Sequence, residues 1–288
     1  MIAGEYILAA GVFDDLIPSG LSCIISFMTK NNRGIRIARA VFFTACAVLL
    51  AWFNMYINTG KRLTDRFQNY ALKYGFSHSL PTFLGACSMQ FPGDNWVAQE
   101  IIFEIKPDLI LEIGTGDGGT TLFYATILEK VNEQGRVITV SRESPDEYRD
   151  KLESKLLKKG YTAPAKELRN KPKAYDSRIW HEKVVFIKGD SEDPGVVDTV
   201  AKAIRGRKVF MLLDAQESKE HVLKDLAHYA LAVEAGSYIM VHDTVKAEVY
   251  AAVQQFVKEN GNFQVDHSRE KFLITLSPSG FLKKVSAQ

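Results

Sequence analysis

The chain has 288 residues, enough for one α/β domain with an appendage and a sizeable core. Lysine and arginine total 36 against 34 aspartates and glutamates, a near balance that gives no reason to expect nucleic acid as a partner. Cys23, Cys46 and Cys87 are scattered and odd in number, so they define neither a disulfide framework nor a zinc site.

Residues 1–29 are apolar but interrupted by Glu5, Asp14, Asp15 and Pro18, which reads as a surface or interfacial helix, with disorder as the alternative. Lys30, Arg33, Arg36 and Arg39 follow. From Ala40 to Gly60 there is no charge, and AVFFTACAVLLAWFNMYI is long enough to span a bilayer. Trp52 and Tyr56 stand where interfacial aromatics are expected. A domain-packing helix or an uncleaved signal-like segment would show the same pattern. The favoured reading is a single-pass membrane anchor with its transmembrane helix at 40–58 and the folded domain on the cytoplasmic side. Lys61, Arg62, Arg66 and Lys73 follow closely, so charge alone does not orient it.

From Leu63 the composition is that of a globular domain. TDRFQNYALKYGF reads as a connecting helix, and Leu80 to Ile105 as a Pro/Gly-punctuated lead-in followed by a helix. KPDLIL is a buried strand, and Arg136 to Val140 a second. Residues 142–182 form a charged, lysine-rich insertion with helical stretches. KVVFIKGDS, KVFMLLDAQES and GSYIMVHDT supply three more strands with helices between and after them. FQVDHS and KFLITLSP are expected to close the chain as an antiparallel edge. Strands alternating with helices predict an open, doubly wound, mostly parallel Rossmann-like sheet. Ligands of such sheets bind beyond the carboxyl ends of the strands, which gathers Glu112, Ser141, Glu143, Asp190, Asp214, His242 and Asp243 along one rim.

EIGTGDGGTTLFYA, Glu112 to Ala125, is the centre of this pattern: a strand end, a glycine-rich turn and a helix start. Glycines admit a ligand close to the backbone, and the helix start offers unpaired N–H groups. Gly114, Gly116 and Gly119 satisfy the dinucleotide pattern, while Gly114, Gly116 and Gly118 satisfy the looser pattern of S-adenosylmethionine enzymes. Glu112 favours the methyl donor, because a carboxylate suits an ammonium and repels a pyrophosphate.

The blocks GACSMQFPGDNWVAQEII, PDLILEIGTGDGGTTLFYA, GDSEDP, LLDAQESKEHVLKDLAHYALAVEAGSYIMVHDT and EKFLITLSPSGFLKKV occur in this order. Together they resemble the cephalosporin hydroxylase-like and rhamnosyl or macrolide O-methyltransferase family of class I methyltransferases, from roughly Leu80 to the C-terminus. The resemblance implies an S-adenosylmethionine-dependent methyltransferase with a divalent metal, magnesium or manganese, beside the donor. It implies that Glu112, Gly114, Thr115, Gly116 and Gly118 bind the methionine side. Glu143 would take the ribose, Asp190 and Ser191 the adenine. Asp214 and Asp243, with His242, would ligate the metal. The acceptor would be a hydroxyl of a sugar or glycosylated small molecule, and a homo-oligomer is compatible with this.

Three departures from the family pattern bear on the chemistry. Ser141 stands where an acidic residue is usual, Glu217 where a histidine base is usual, and His242 where a carboxylate or amide is usual. Glu217, with Asp214, is the catalytic candidate, since a carboxylate serves as a base when its surroundings allow. His221, four residues on, reads as a polar surface residue. Two competing readings are a binding protein that keeps the fold without turnover and an oxygenase; the second lacks the two rim histidines that non-haem iron wants.

Overall fold

A two-rung hairpin, Thr82–Phe83 (β1) with Ala86–Cys87 (β2), opens a chain that alternates helix and strand almost to its end. The computed structural model describes residues 37, 40–55, 66, 70, 80–272 and 274–285. Pro92–Ile105 (α1) leads into Leu109–Ile113 (β3), Gly119–Val131 (α2) and Arg136–Ser141 (β4). The charged insertion folds as three helices, Pro145–Lys158 (α3), Thr162–Asn170 (α4) and Arg178–Lys183 (α5). Val184–Lys188 (β5), Pro194–Ile204 (α6), Val209–Leu213 (β6) and Lys219–Tyr229 (α7) continue the alternation. Tyr238–Val241 (β7), Ala247–Glu259 (α8), Phe263–Val265 (β8) and Phe281–Lys284 (β9) complete it.

Local chemistry marks the helix starts. Prolines open α1, α3 and α6, where a missing N–H costs nothing. Ser144 and Glu147 form a reciprocal capping box on α3, and Asp193 and Ser218 cap α6 and α7.

Seven strands pair in the order β5-β4-β3-β6-β7-β9-β8, parallel except for β9, which runs antiparallel to both neighbours. The winding direction reverses between β3 and β6, so the ligand crevice opens beyond those two carboxyl ends. Strand alternation divides the core. Leu109, Leu111 and Ile113 face α6, α7 and α8, whereas Ile110 faces α1 and α2 beside Tyr124, Phe210 and Leu212.

The antiparallel edge is present, but its last strand is Phe281–Lys284 and not KFLITLSP. The buried Asp94 carboxylate accepts from the Thr275 hydroxyl at 2.6 Å and from the Leu276 N–H at 2.9 Å. That N–H is thereby withdrawn from any ladder, and the segment is irregular.

The chain divides into two compact units, Met1–Asp65 and Arg66–Gln288. The expected single-pass anchor, and with it the membrane localisation, is overturned: among the described residues no helix is long and apolar enough to cross a membrane. Helix is described over 40–55, which rises about 24 Å against a hydrocarbon core of about 30 Å. Residues 56–58 of the expected span lie outside the described residues, as do the expected helix at 1–29 and nearly all of that at 64–76.

Glu112 shows what the alternation does to a charged residue. It shares the Ile110 face of β3, fully buried, and points into the layer that holds α2. The hydroxyls of Thr121 and, at 2.5 Å, Thr139 donate to one carboxyl oxygen, while the other has no hydrogen-bond partner. Burial raises its pKa from 4.5 to about 8, against the lowering effect of the two hydroxyls. The folded state therefore holds this proton more tightly than the unfolded chain. Its contribution is fully present below pH 4.5 and is lost as pH rises through about 8. Glu112→Gln, a neutral isostere, should lose that dependence. In urea unfolding, wild type should fall in stability relative to the variant between pH 5 and pH 9; parallel profiles would refute the assignment.

Candidate active site

Three backbone hydrogen bonds carry the sheet ladders one residue past the strands. The Gly114 N–H donates to Val140 O (2.8 Å), that of Asp214 to Ile113 O (2.8 Å), and that of His242 to Leu213 O (2.9 Å). The turn after β3 and the acidic groups after β6 and β7 are thus held in line on one rim. They open on a single cavity of about 810 Å³, which also reaches Ser141–Glu143, Asp190–Ser191, Tyr148 and Lys246.

The glycine turn is shaped by protein backbone on one side and by the cavity on the other. A Cβ at Gly114 would lie 1.9 Å from the Asp214 carbonyl oxygen, and one at Gly119 would lie 2.0 Å from that of Cys87. At Gly116 the nearest atom is a Tyr148 ring carbon at 3.7 Å, an ordinary contact, and both residues line the cavity. The φ of +56° at Gly116 still favours glycine. The Thr115 hydroxyl bonds that of Thr139 at 2.7 Å, above Glu112. Glu112 itself lies beneath the turn and does not line the cavity, so the direct contact expected between it and a ligand ammonium is not made by this arrangement.

A second buried carboxylate in the turn, Asp117, was not singled out from the sequence. Arg149 of α3 grips it with two hydrogen bonds of 2.6 and 2.7 Å, and also donates to the carbonyls of Lys171 (2.9 Å) and Pro172 (3.1 Å). Burial raises the Asp117 pKa, and the guanidinium opposes that rise. The insertion is therefore part of the site: α3 clamps the turn, and Trp180 of α5 packs against Gly118. The glycine loop contains Asp117, but nothing in the spacing picks Arg149 from the cations around it.

At the other end of the cavity Glu143 pairs with Lys151 at 2.5 Å. Asp190 accepts from the Glu192 N–H at 3.0 Å, with Arg142 3.7 Å away. Ser191 is buried, and its carbonyl accepts from the Tyr229 hydroxyl at 2.6 Å. His221 corrects the surface expectation. It is buried, 2.5 Å from Glu192, 3.3 Å from Asp225 and 3.4 Å from the Ser191 hydroxyl, so it braces the turn after β5.

The acidic cluster stands just past the ends of β6 and β7, ahead of α7 and α8 in the chain. One ligand atom each of Asp214, His242 and Asp243 falls within 4.8 Å of the others, well under the ~8 Å at which no single ion could bridge the two carboxylates. His242 Nδ1 lies 3.2 Å from Asp214 and 3.3 Å from Asp243. Neither contact has hydrogen-bond geometry, and both buried ring nitrogens lack a hydrogen-bond partner. Burial disfavours the charged imidazole, but Asp214 and then Asp243 outweigh it and raise the pKa to about 9. Burial likewise opposes charge on Asp214, which His242 and Lys246 nonetheless hold below its ordinary value. Asp243 has φ +56°, a left-handed conformation that aspartate tolerates better than most residues. The donor set fits a divalent ion: two carboxylates, and an imidazole that can ligate once it gives up its proton. Glu217 stands at the cavity wall, paired with Lys246 at 2.6 Å.

A switch-point crevice, a glycine turn facing the cavity and a carboxylate pair on one rim define a class I methyltransferase site. The chain belongs to the Rhamnosyl O-methyltransferase/CmcI family, whose model matches residues 76–162 and 165–285. It is an S-adenosylmethionine-dependent methyltransferase. Rhamnosyl O-methyltransferase of Mycobacterium bovis (strain BCG / Pasteur 1173P2) is 27% identical over 216 residues, spanning 70% of this chain and 77% of the relative. That of Mycobacterium leprae (strain TN) is 24% identical over 224 residues, 73% and 86% of the two chains. Among solved structures, apo CmcI-N160 matches with a TM-score of 0.48 at 17% identity, covering 72% of this chain and 77% of that one. CmcI-D160 with Mg and S-adenosylmethionine matches with a TM-score of 0.46 at the same identity and coverage.

The clamp on the glycine turn is open to a direct test. Arg149→Met leaves Asp117 buried and unpaired, which should cost about 3–5 kcal/mol in urea unfolding. Asp117→Asn combined with Arg149→Met should recover part of that loss. Calorimetry should show S-adenosylhomocysteine binding weakened in both, because neither restores the grip on the turn; wild-type affinity in the double variant would show the clamp to be structural only.

Proposed function

We propose that the enzyme methylates a hydroxyl of a sugar or glycosylated small molecule, with a divalent ion held by Asp214, His242 and Asp243. The observation that carries this reading is that the three ligand atoms, within 4.8 Å of one another, share one cavity with the glycine turn. The curated relatives named for rhamnosyl O-methylation support the sugar acceptor.

When bound, the donor supplies an electrophilic methyl group and the ion supplies Lewis acidity toward the acceptor hydroxyl. The protein's part is to position and to hold charge. Gly114, Thr115, Gly116 and Gly118 present backbone to the methionine end of the donor, and Asp117 with Arg149 keeps that backbone in place. Glu143 would take the ribose hydroxyls, and Asp190 and Ser191 would bound the adenine, all three lining the same cavity. Glu112 acts from below, by fixing Thr121 and Thr139 under the turn. Glu217, beside the acidic cluster, takes the proton of the acceptor hydroxyl, and Asp214 orients that hydroxyl for in-line transfer.

Purified protein, labelled methyl donor and a glycan or metabolite extract test the reading. Label should enter a glycosylated acceptor. Asp214→Asn and Asp243→Asn should stay folded, since both carboxylates lie at strand ends outside the hydrophobic clusters and asparagine keeps their size, yet lose about 10²-fold or more in transfer. Donor binding without transfer to any acceptor would instead mark a protein that binds and does not turn over.

A further inference from the structure

The acidic cluster already contains a cation supplied by the chain. Lys246 Nζ contacts Asp243 Oδ2 and lies 2.6 Å from Glu217 Oε1, while Asp243 Oδ1 faces His242 at 3.3 Å. We propose that Lys246 is a resident counter-ion of this cluster, one that a divalent ion must dislodge from Asp243 in order to bind. The proposal rests on the metal reading of Asp214, His242 and Asp243 given above.

Two features make Lys246 more than a passing ion pair. Its backbone N–H donates to the Asp243 carbonyl at 2.9 Å, closing a turn that starts from the ligand residue itself. The ammonium is therefore tethered within reach of that carboxylate whatever else is bound. Its side chain is also 39% exposed, so a head group displaced from Asp243 has solvent within reach. A compact ammonium and a divalent ion on one carboxylate repel each other, and at this distance in a half-buried site the repulsion outweighs what an exposed ion pair contributes. The two cations therefore alternate on Asp243.

The exchange has a chemical consequence. The same Nζ that leaves Asp243 holds Glu217, the proposed base. While Lys246 bridges the two carboxylates, Glu217 is occupied. Displacement of the ammonium from Asp243 loosens the bridge and leaves a Glu217 oxygen available to the acceptor. Metal loading and exposure of the base become one event, so that proton abstraction waits for the ion.

Manganese titration by calorimetry on the metal-free full-length chain tests the proposal, with S-adenosylhomocysteine binding as the check that each variant is folded. Lys246→Met should bind Mn²⁺ about tenfold or more tighter than wild type, because the competing charge is gone. Lys246→Arg, which keeps the charge, should stay within about threefold of wild type. Unchanged or weaker Mn²⁺ binding by Lys246→Met overturns the counter-ion assignment, as does absence of Mn²⁺ binding in both proteins. Asp214→Asn separates the two readings. If it abolishes Mn²⁺ binding and Lys246→Met fails to tighten it, only the counter-ion falls. If it leaves Mn²⁺ binding untouched, the ion sits elsewhere and both readings fall.

Discussion

The site depends on sheet register. Backbone hydrogen bonds from Gly114, Asp214 and His242 each reach the last or next-to-last carbonyl of the neighbouring strand, so the turn and the two acidic loops leave the sheet at the same height. No side chain could impose that alignment, because loops leaving strands of unequal register would diverge before their functional groups met. The ladder costs little to extend by one rung, since every residue carries a donor and an acceptor that must be satisfied anyway. Buried strands such as Leu109–Ile113 and Val209–Leu213 supply the rigidity, with hydrophobic layers packed on both faces.

Much of this was legible from sequence. The apolar runs and their spacing mark the parallel strands, and the glycine turn marks the switch point. Asp214, His242 and Asp243 were legible as a group because each follows a strand end, and strand ends converge. What escaped was set by tertiary contact. Arg149 reaches Asp117 from 32 residues away, inside a segment crowded with cations. The KFLITLSP run has the residues of a strand, but Asp94, from a helix start far upstream, takes the N–H that a strand would need. Lys246 stands three residues after Asp243, a spacing that could have flagged it. The uncharged run from Ala40 reads as a membrane span on composition alone, while among the described residues no helix is long and apolar enough to cross a membrane.

Burial sorts the acidic residues by role. Glu112 and Asp117 both sit in the signature stretch, yet one is kept near neutrality beneath the sheet end and the other is neutralised by a guanidinium. Both hold the turn. Asp214 and Asp243, partly exposed at the rim, stand beside His242 and Lys246 respectively. A carboxylate near a strand end is thus a ligand candidate or a scaffold element according to how deeply it is buried and what neutralises it: Asp214, two residues past Leu212, continues the pleat face that Glu112 occupies, yet it reaches the cavity and Glu112 does not.

The contacts at Gly114 and Gly119 carry an implication for how such chains diverge. Both glycines are required by carbonyl oxygens of the protein itself, 1.9 and 2.0 Å from where a side chain would begin. Selection on folding alone would preserve them in a lineage whose catalysis had drifted or vanished. Gly116 has no such backbone neighbour, yet its φ of +56° holds it to glycine by conformation alone. Among descendants of this fold the whole glycine pattern would therefore go on advertising a ligand after the ligand was lost.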